Sequence, residues 1–239
     1  MVTKKQIAEE LKERYQNRDM DSRLDKGQFL TLFREAVKDY YPRLKVQYAG
    51  QSIYGVSFEI GGVVQTIYAE NFGTYIYFNT EEMYREKSKD CGEDEKGYYR
   101  FEPWAEWDVM YAKSALFENL RDYLKQNSLY ECSGVCSSGS YYRDKLDGAA
   151  VEWYEENESV FEKAYDGECR QIRMWMAEAL GELRKEGFWE EQGSVELYVI
   201  PFGGECDIAS EELLETYSIM DAGYHGTEYL DYLKSCDLE

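Results

Sequence analysis

His225 is the only histidine in the chain, and it lies in Ala222-Gly223-Tyr224-His225-Gly226, a polar, small-residue setting where an imidazole could act as base or ligand. A Ser/His/Asp or Cys/His catalytic arrangement would have to use it. No Gly-x-Ser-x-Gly elbow or cysteine-protease signature accompanies it, however. The one close cysteine pair, Cys132 and Cys136 in Cys132-Ser133-Gly134-Val135-Cys136, could wrap a metal ion or pair in redox chemistry. A closed zinc site takes four ligands, and Cys169, Cys206 and Cys236 are each isolated. These two are weak metal candidates, and no bound metal is expected. Carboxylates are so abundant that a catalytic pair can always be picked out, but the sequence does not show which of them meet across a cleft. There is no Gly-x-x-x-x-Gly-Lys phosphate loop and no Gly-x-Gly-x-x-Gly turn. No cofactor is expected, and no residue is assigned a catalytic role.

Two aromatic and acidic clusters are the candidates for binding a partner. The first contains Trp104, Glu106 and Trp107, within Tyr98 to Trp107; the second contains Glu152, Trp153, Glu155, Glu156 and Glu158. Large aromatics at helical spacing usually pack inward, and acidic runs usually form solvated helix surface. As an interface, such a cluster suits a basic partner: the rings supply burial and the carboxylates steer association.

The charge fits that reading. The 239 residues carry 48 Asp and Glu against 27 Lys and Arg, a net charge of -21. Direct nucleic-acid binding driven by counterion release needs a cationic surface, so neither nucleic acid nor an anionic membrane is an expected partner. The distribution is uneven. Residues 1–50 are +3, residues 51–151 are -7 and residues 152–239 are -17. No apolar leader follows Lys4 and Lys5, and no run approaches the roughly 20 apolar residues that span a bilayer. Six scattered cysteines then fit reduced thiols, and the expected location is cytoplasmic.

The elements that must position these residues follow from periodicity. Thr3 to Asn17 reads as a thin helix and Arg18 to Gly27 as a polar connector, before a stronger helix through Phe29, Leu32, Phe33, Ala36, Val37 and Tyr40 that Pro42 should end. Tyr54, Val56, Phe58 and Ile60 alternate, and Gly61-Gly62 offers a hairpin turn into Val63 to Ala69. Thr74 to Phe78 supplies a third strand, so 53–78 resembles an antiparallel meander. Thr80 should cap a short helix to about Ser88, with Lys89 to Gly97 a loop. Trp104 to Asn127 reads as an aromatic-faced helix, interrupted near Lys113, followed by a Ser/Gly/Cys loop. A helical stretch begins near Asp147, and a second, from Glu168 to Glu186, should stop at Gly187. Val195, Leu197 and Val199 form a strand, and Ser210 caps a final helical pair. The expected fold class is α+β, an antiparallel meander packed with several amphipathic helices. Residues 1–27 form an N-terminal helix and connector, and 28–239 form one domain with a subdivision possible near 128–146.

The segment order Ile53-Tyr54-Gly55-Val56-Ser57-Phe58, Pro103-Trp104-Ala105-Glu106-Trp107 leading to Phe117-Glu118-Asn119-Leu120, and Glu178 to Phe188 before a Val/Leu strand resembles a bacterial family catalogued as a domain of unknown function. The resemblance covers about residues 28 to 202 and implies an association with immunity proteins of toxin systems. The expected function is a non-enzymatic binder or inhibitor that neutralises a basic protein: a toxin, a nuclease, or a nucleic-acid-binding defence enzyme blocked by nucleic-acid mimicry. The alternatives are a hydrolase using a carboxylate cluster with a divalent metal, and an acidic domain with an unassigned ligand.

Overall fold

The computed structural model describes Glu13 and residues 23–61, 73–101, 108–111, 114–127, 148–193, 196–199, 215–216, 218–219 and 232. The expected helix from Thr3 to Asn17 lies outside them, apart from Glu13, which is helical.

Helix α1 (Lys26–Gln47) starts where Asp25 accepts the Gln28 amide N–H at 2.7 Å, satisfying one of the donors that a helix start leaves unpaired. Phe29, Phe33, Ala36, Val37 and Tyr40 are buried at the three- and four-residue spacing of an amphipathic helix. Pro42 does not end it, contrary to expectation. An internal proline costs about 3 kcal/mol, whereas burying one large apolar side chain returns roughly 1.5–3 kcal/mol. Tyr41 and Leu44, either side of the proline, are both 1% exposed, so packing holds the helix through to Gln47.

Strands β1 (Ile53–Gly61), β2 (Gly73–Thr80), β3 (Asp108–Tyr111) and β4 (Glu196–Val199) form one sheet in the order β3-β2-β1-β4. The fold is α+β, but its sheet is mixed and not a simple meander. β1 and β2 are antiparallel, as are β2 and β3, while β4 runs parallel to β1. The expected hairpin partner, Val63 to Ala69, lies outside the described residues. The neighbours of β1 are β2, from Ile53↔Thr80 to Gly61↔Gly73, and β4, from Gly55↔Glu196 to Phe58↔Val199. Gly61 itself belongs to β1, opposite Gly73, and Gly62 lies outside the described residues. Alternation selects which face of a strand is buried; it does not select the strand alongside.

Thr80 caps α2 (Glu81–Lys87) as expected, accepting the Met83 N–H at 3.1 Å. Its hydroxyl also donates to Gln51 Oε1 at 3.0 Å, tying the helix start to the turn before β1. Thr80→Ala is expected to cost about 1–2 kcal/mol, read as a lower urea midpoint with an unchanged denaturant slope. The stretch expected to be a loop, Lys89 to Gly97, largely becomes helix α3 (Glu93–Phe101). Glu95 folds back to accept the Gly92 N–H at 2.9 Å, a start signal at the three-residue spacing of a capping box. Residues 108–111, expected to be helical, are strand β3, because Val109 and Met110 take places opposite Tyr77 and Ile76 of β2. The interruption expected near Lys113 is real. Ser114 accepts the Phe117 N–H at 3.2 Å and opens α4 (Ala115–Asn127).

The expected pair of helical stretches after Asp147 is one 38-residue helix, α5 (Gly148–Lys185). Gly187, in the left-handed region at φ 79°, stops it, and its N–H returns to the Arg184 carbonyl at 2.9 Å. The four-residue helix α6 (Phe188–Glu191) then folds Phe188 and Trp189 onto α1. Across α1 and α5, Lys26 pairs with Glu178 at 2.7 Å, Arg34 with Glu182 at 2.8 Å and Lys38 with Glu186 at 2.7 Å. Residue numbers rise together along both helices, so they run in the same direction, as do the strands β1 and β4 that follow them.

The core lies between one face of the sheet and helices α1, α4 and α5. Phe33 meets Phe58 edge-on at 5.7 Å, Tyr40 meets Phe117 at 5.8 Å and Phe29 meets Trp175 at 5.6 Å. Among the described residues, no helix is long and apolar enough to cross a membrane.

Candidate functional site

The second acidic and aromatic cluster falls at the start of α5. Trp104, Glu106, Trp107, Cys132, Cys136 and His225 lie outside the described residues. Positions 152, 153, 155, 156 and 158 occupy the first turns of the long helix, and Glu156 is exposed. At about 100° per residue, the acids at 152, 155, 156, 158, 162 and 166 fall within an arc of roughly 160°. Positions 153, 154, 160, 161, 164 and 165, all apolar or aromatic, fall in the remaining arc, with Val151 the exception. Lys163, exposed like Glu156, also lies on the acidic arc.

The second half of α5 engages carboxylates with α1. From Glu168 onward the helix is built into the molecule, with Cys169, Ile172, Met176, Ala179, Leu180 and Leu183 buried. Its acids there face bases of α1, as in the Glu178 and Glu182 pairs, and just past its end Lys38 and then Arg34 hold the Glu186 carboxyl below its ordinary pKa. Arg170 similarly meets Glu215 at 3.0 Å. Part of the acidity of the last third is therefore spent on the basic N-terminal segment. Among the described residues, Glu156 in the first half has no such base.

A second constellation was not foreseen. Ser57 and Glu59 alternate on β1 with Val56 and Phe58, and so point to the sheet face opposite α1. Tyr77 stands directly across from Ser57 in the β1–β2 register. All three are buried: Ser57 is 0% exposed, Glu59 2% and Tyr77 7%. The Tyr77 hydroxyl donates to Glu59 Oε2 at 2.6 Å. Burial raises the Glu59 carboxyl above its ordinary pKa, and the Tyr77 hydrogen bond opposes that rise only in part. Among the described residues, Ser57 Oγ has no hydrogen-bond partner. At the far end of the same face, Asn79 accepts the Thr80 N–H at 2.9 Å and reaches the Tyr99 carbonyl at 3.4 Å, which brings α3 over this side of the sheet. Arg100 of α3 stacks over Tyr54, 4.4 Å from its ring centre, and Tyr232 packs on Phe101 at 5.1 Å.

The signal for this cluster was present in the sequence as Ser57-x-Glu59 between Val56 and Phe58. Polar residues alternating with apolar ones ordinarily mark a solvated face, and a second layer covering the sheet is not encoded locally. Among the described residues, no three His, Cys, Asp or Glu side chains are grouped so as to hold a metal ion. Comparison with known proteins finds no match, whether to a family model, a curated protein or a solved structure.

Proposed function

We propose that the protein is a non-enzymatic binder that neutralises a basic protein, of the immunity or inhibitor kind, and that the first half of α5 presents the binding surface. The observation behind this reading is the division of α5. Its second half anchors the helix in the core, with carboxylates matched by α1, while its first half carries six acids on one arc, of which the exposed Glu156 has no base among the described residues. A rigid, pre-ordered helix loses little entropy on docking, and its charge raises the association rate with a cationic partner.

The spacing also favours a nucleic-acid-binding enzyme as the partner. Positions 152 to 166 span about 21 Å at 1.5 Å per residue, or roughly one acid per 4 Å of helix axis, close to the ~3.4 Å of duplex axis per phosphate on one DNA strand.

The test begins with a partner purified from the source cells and reconstituted with the pure protein. Changing Glu152→Lys, Glu155→Lys and Glu156→Lys together is expected to weaken binding at least ~10-fold, about 1.4 kcal/mol, mainly through a slower association rate. The salt dependence of the remaining affinity should flatten. Because lysines near a helix start also oppose its dipole, the Glu→Gln triple change serves as the control and should give a smaller loss in the same direction. Unchanged affinity in the lysine variant would return the acidic arc to a solubility role.

A further inference from the structure

We infer that residues 3–17 dock as a helix along the apolar face of the first half of α5, in line with α1 and on the side away from the acidic arc. Two apolar faces account for each other here. Ile7, Leu11 and Tyr15 stand at helical spacing, and a helix of that length is marginal in water unless its stripe is buried. Glu13, about 160° round the helix from Leu11, is helical and exposed, as a residue opposite a buried stripe should be. On α5, Trp153, Val160 and Ala164 form the second face. At about 100° per residue they fall within roughly 40° of the mean direction of Trp175, Glu178 and Glu182, the positions that meet α1, and about 150° from the middle of the acidic arc.

The face that α1 covers thus continues up α5 past the point where α1 begins. Lys26, the first residue of α1, stands at Glu178, and Leu24 just before it still packs on the core. Because α1 and α5 run in the same direction, the preceding chain joins α1 at the end nearer the first half of α5. The lengths agree. Positions 153 to 165 lie about 20 to 38 Å up the helix from Glu178, a face about 18 Å long. Residues 18–25 span up to ~26 Å when extended, and residues 3–17 make a helix of about 22 Å. A second copy of the chain is the rival occupant, but residues 3–17 are tethered at this end and so reach the face at an effective concentration that a separate molecule lacks. The inference concerns the face behind the acids and is independent of the basic partner proposed above, so either can fail alone.

The test places the photo-crosslinker p-benzoylphenylalanine in the full chain in place of Leu11. Irradiation should join it, within one chain, to peptides from residues 153–165, and the same group in place of Glu13 should not reach them. A second measurement needs no crosslinker. Changing Ile7→Asp and Leu11→Asp together should speed amide hydrogen exchange across 153–165 by roughly ten-fold or more while 172–185 keep their rates, because the first half of α5 alone loses a cover. Glu13→Ala, on the exposed side, should leave both regions unchanged. The inference is overturned if position 11 crosslinks to other elements or only between chains, or if the double change leaves exchange at 153–165 as it was.

Discussion

Trp189→Ala is expected to destabilise the protein by about 4 kcal/mol, within the range for truncating a buried aromatic. Trp189 is 0% exposed and is the largest of the fully buried side chains. Its ring meets Tyr41 of α1 edge-on at 5.0 Å and Phe188 at 4.8 Å, and its indole N–H donates to the Leu180 carbonyl of α5 at 3.2 Å. One residue thus links α1, α5 and α6 at the point where the chain leaves α5 for β4. Alanine would leave a cavity between two helices that their ion pairs hold at a fixed spacing, so the site can collapse only partly. For a chain of this length, the loss corresponds to a melting temperature lower by roughly 10 °C. A fall of less than ~3 °C would mean that Trp189 is not the keystone of this junction. Trp189→Phe, which keeps most of the apolar volume, should recover more than half of the loss.

Glu59→Gln is expected to do the opposite and stabilise the protein at neutral pH. Burial raises the folded-state pKa of Glu59 above that of the unfolded chain. Between the two values the folded state holds a proton that the unfolded state has released, so stability falls as pH rises through that window. The stabilisation is fully present below the ordinary carboxylate value and is lost once the pH passes the raised one. Glutamine cannot ionise, yet its amide oxygen can still accept from Tyr77. Urea midpoints measured from pH 4 to pH 8 should therefore fall less steeply for the variant, with the two proteins converging at the acid end. A variant that is less stable at pH 7 would show that the ionised carboxyl has a partner which repays its burial.

How much of this was legible depended on the distance over which each signal acts. The buried stripe of α1, the Thr80 cap, the strand character of Ile53 to Ile60 and the stop at Gly187 are local, each decided by residues within one or two turns, and the sequence indicated them. Pro42 misled because the burial of Tyr41 and Leu44 against other elements outweighs a local penalty. Residues 108–111 misled because β2 settles a short segment whose own pattern suits helix or strand. The partner-binding candidates divide in the same way. That Glu152, Glu155, Glu156 and Glu158 share one helix could be read from periodicity, but that Glu178, Glu182 and Glu186 are engaged by α1 could not. The Ser57, Glu59 and Tyr77 cluster was hidden for a related reason. Its meaning depends on a layer that comes from residues distant in the chain.

The pairing of β1 with β4 also bears on how the protein can be made. Gly55 finds Glu196 across about 140 residues of chain, whereas β2 is close at hand. During synthesis β1 is therefore complete, and paired on one side, long before the strand that closes its other side has left the ribosome. For that interval its second edge is an open template carrying Val56 and Phe58, the kind of edge that invites strands from other chains. A nascent or proteolytically shortened form ending before β4 should accordingly be the aggregation-prone form of this protein, and chaperone dependence should end when Glu196–Val199 emerges.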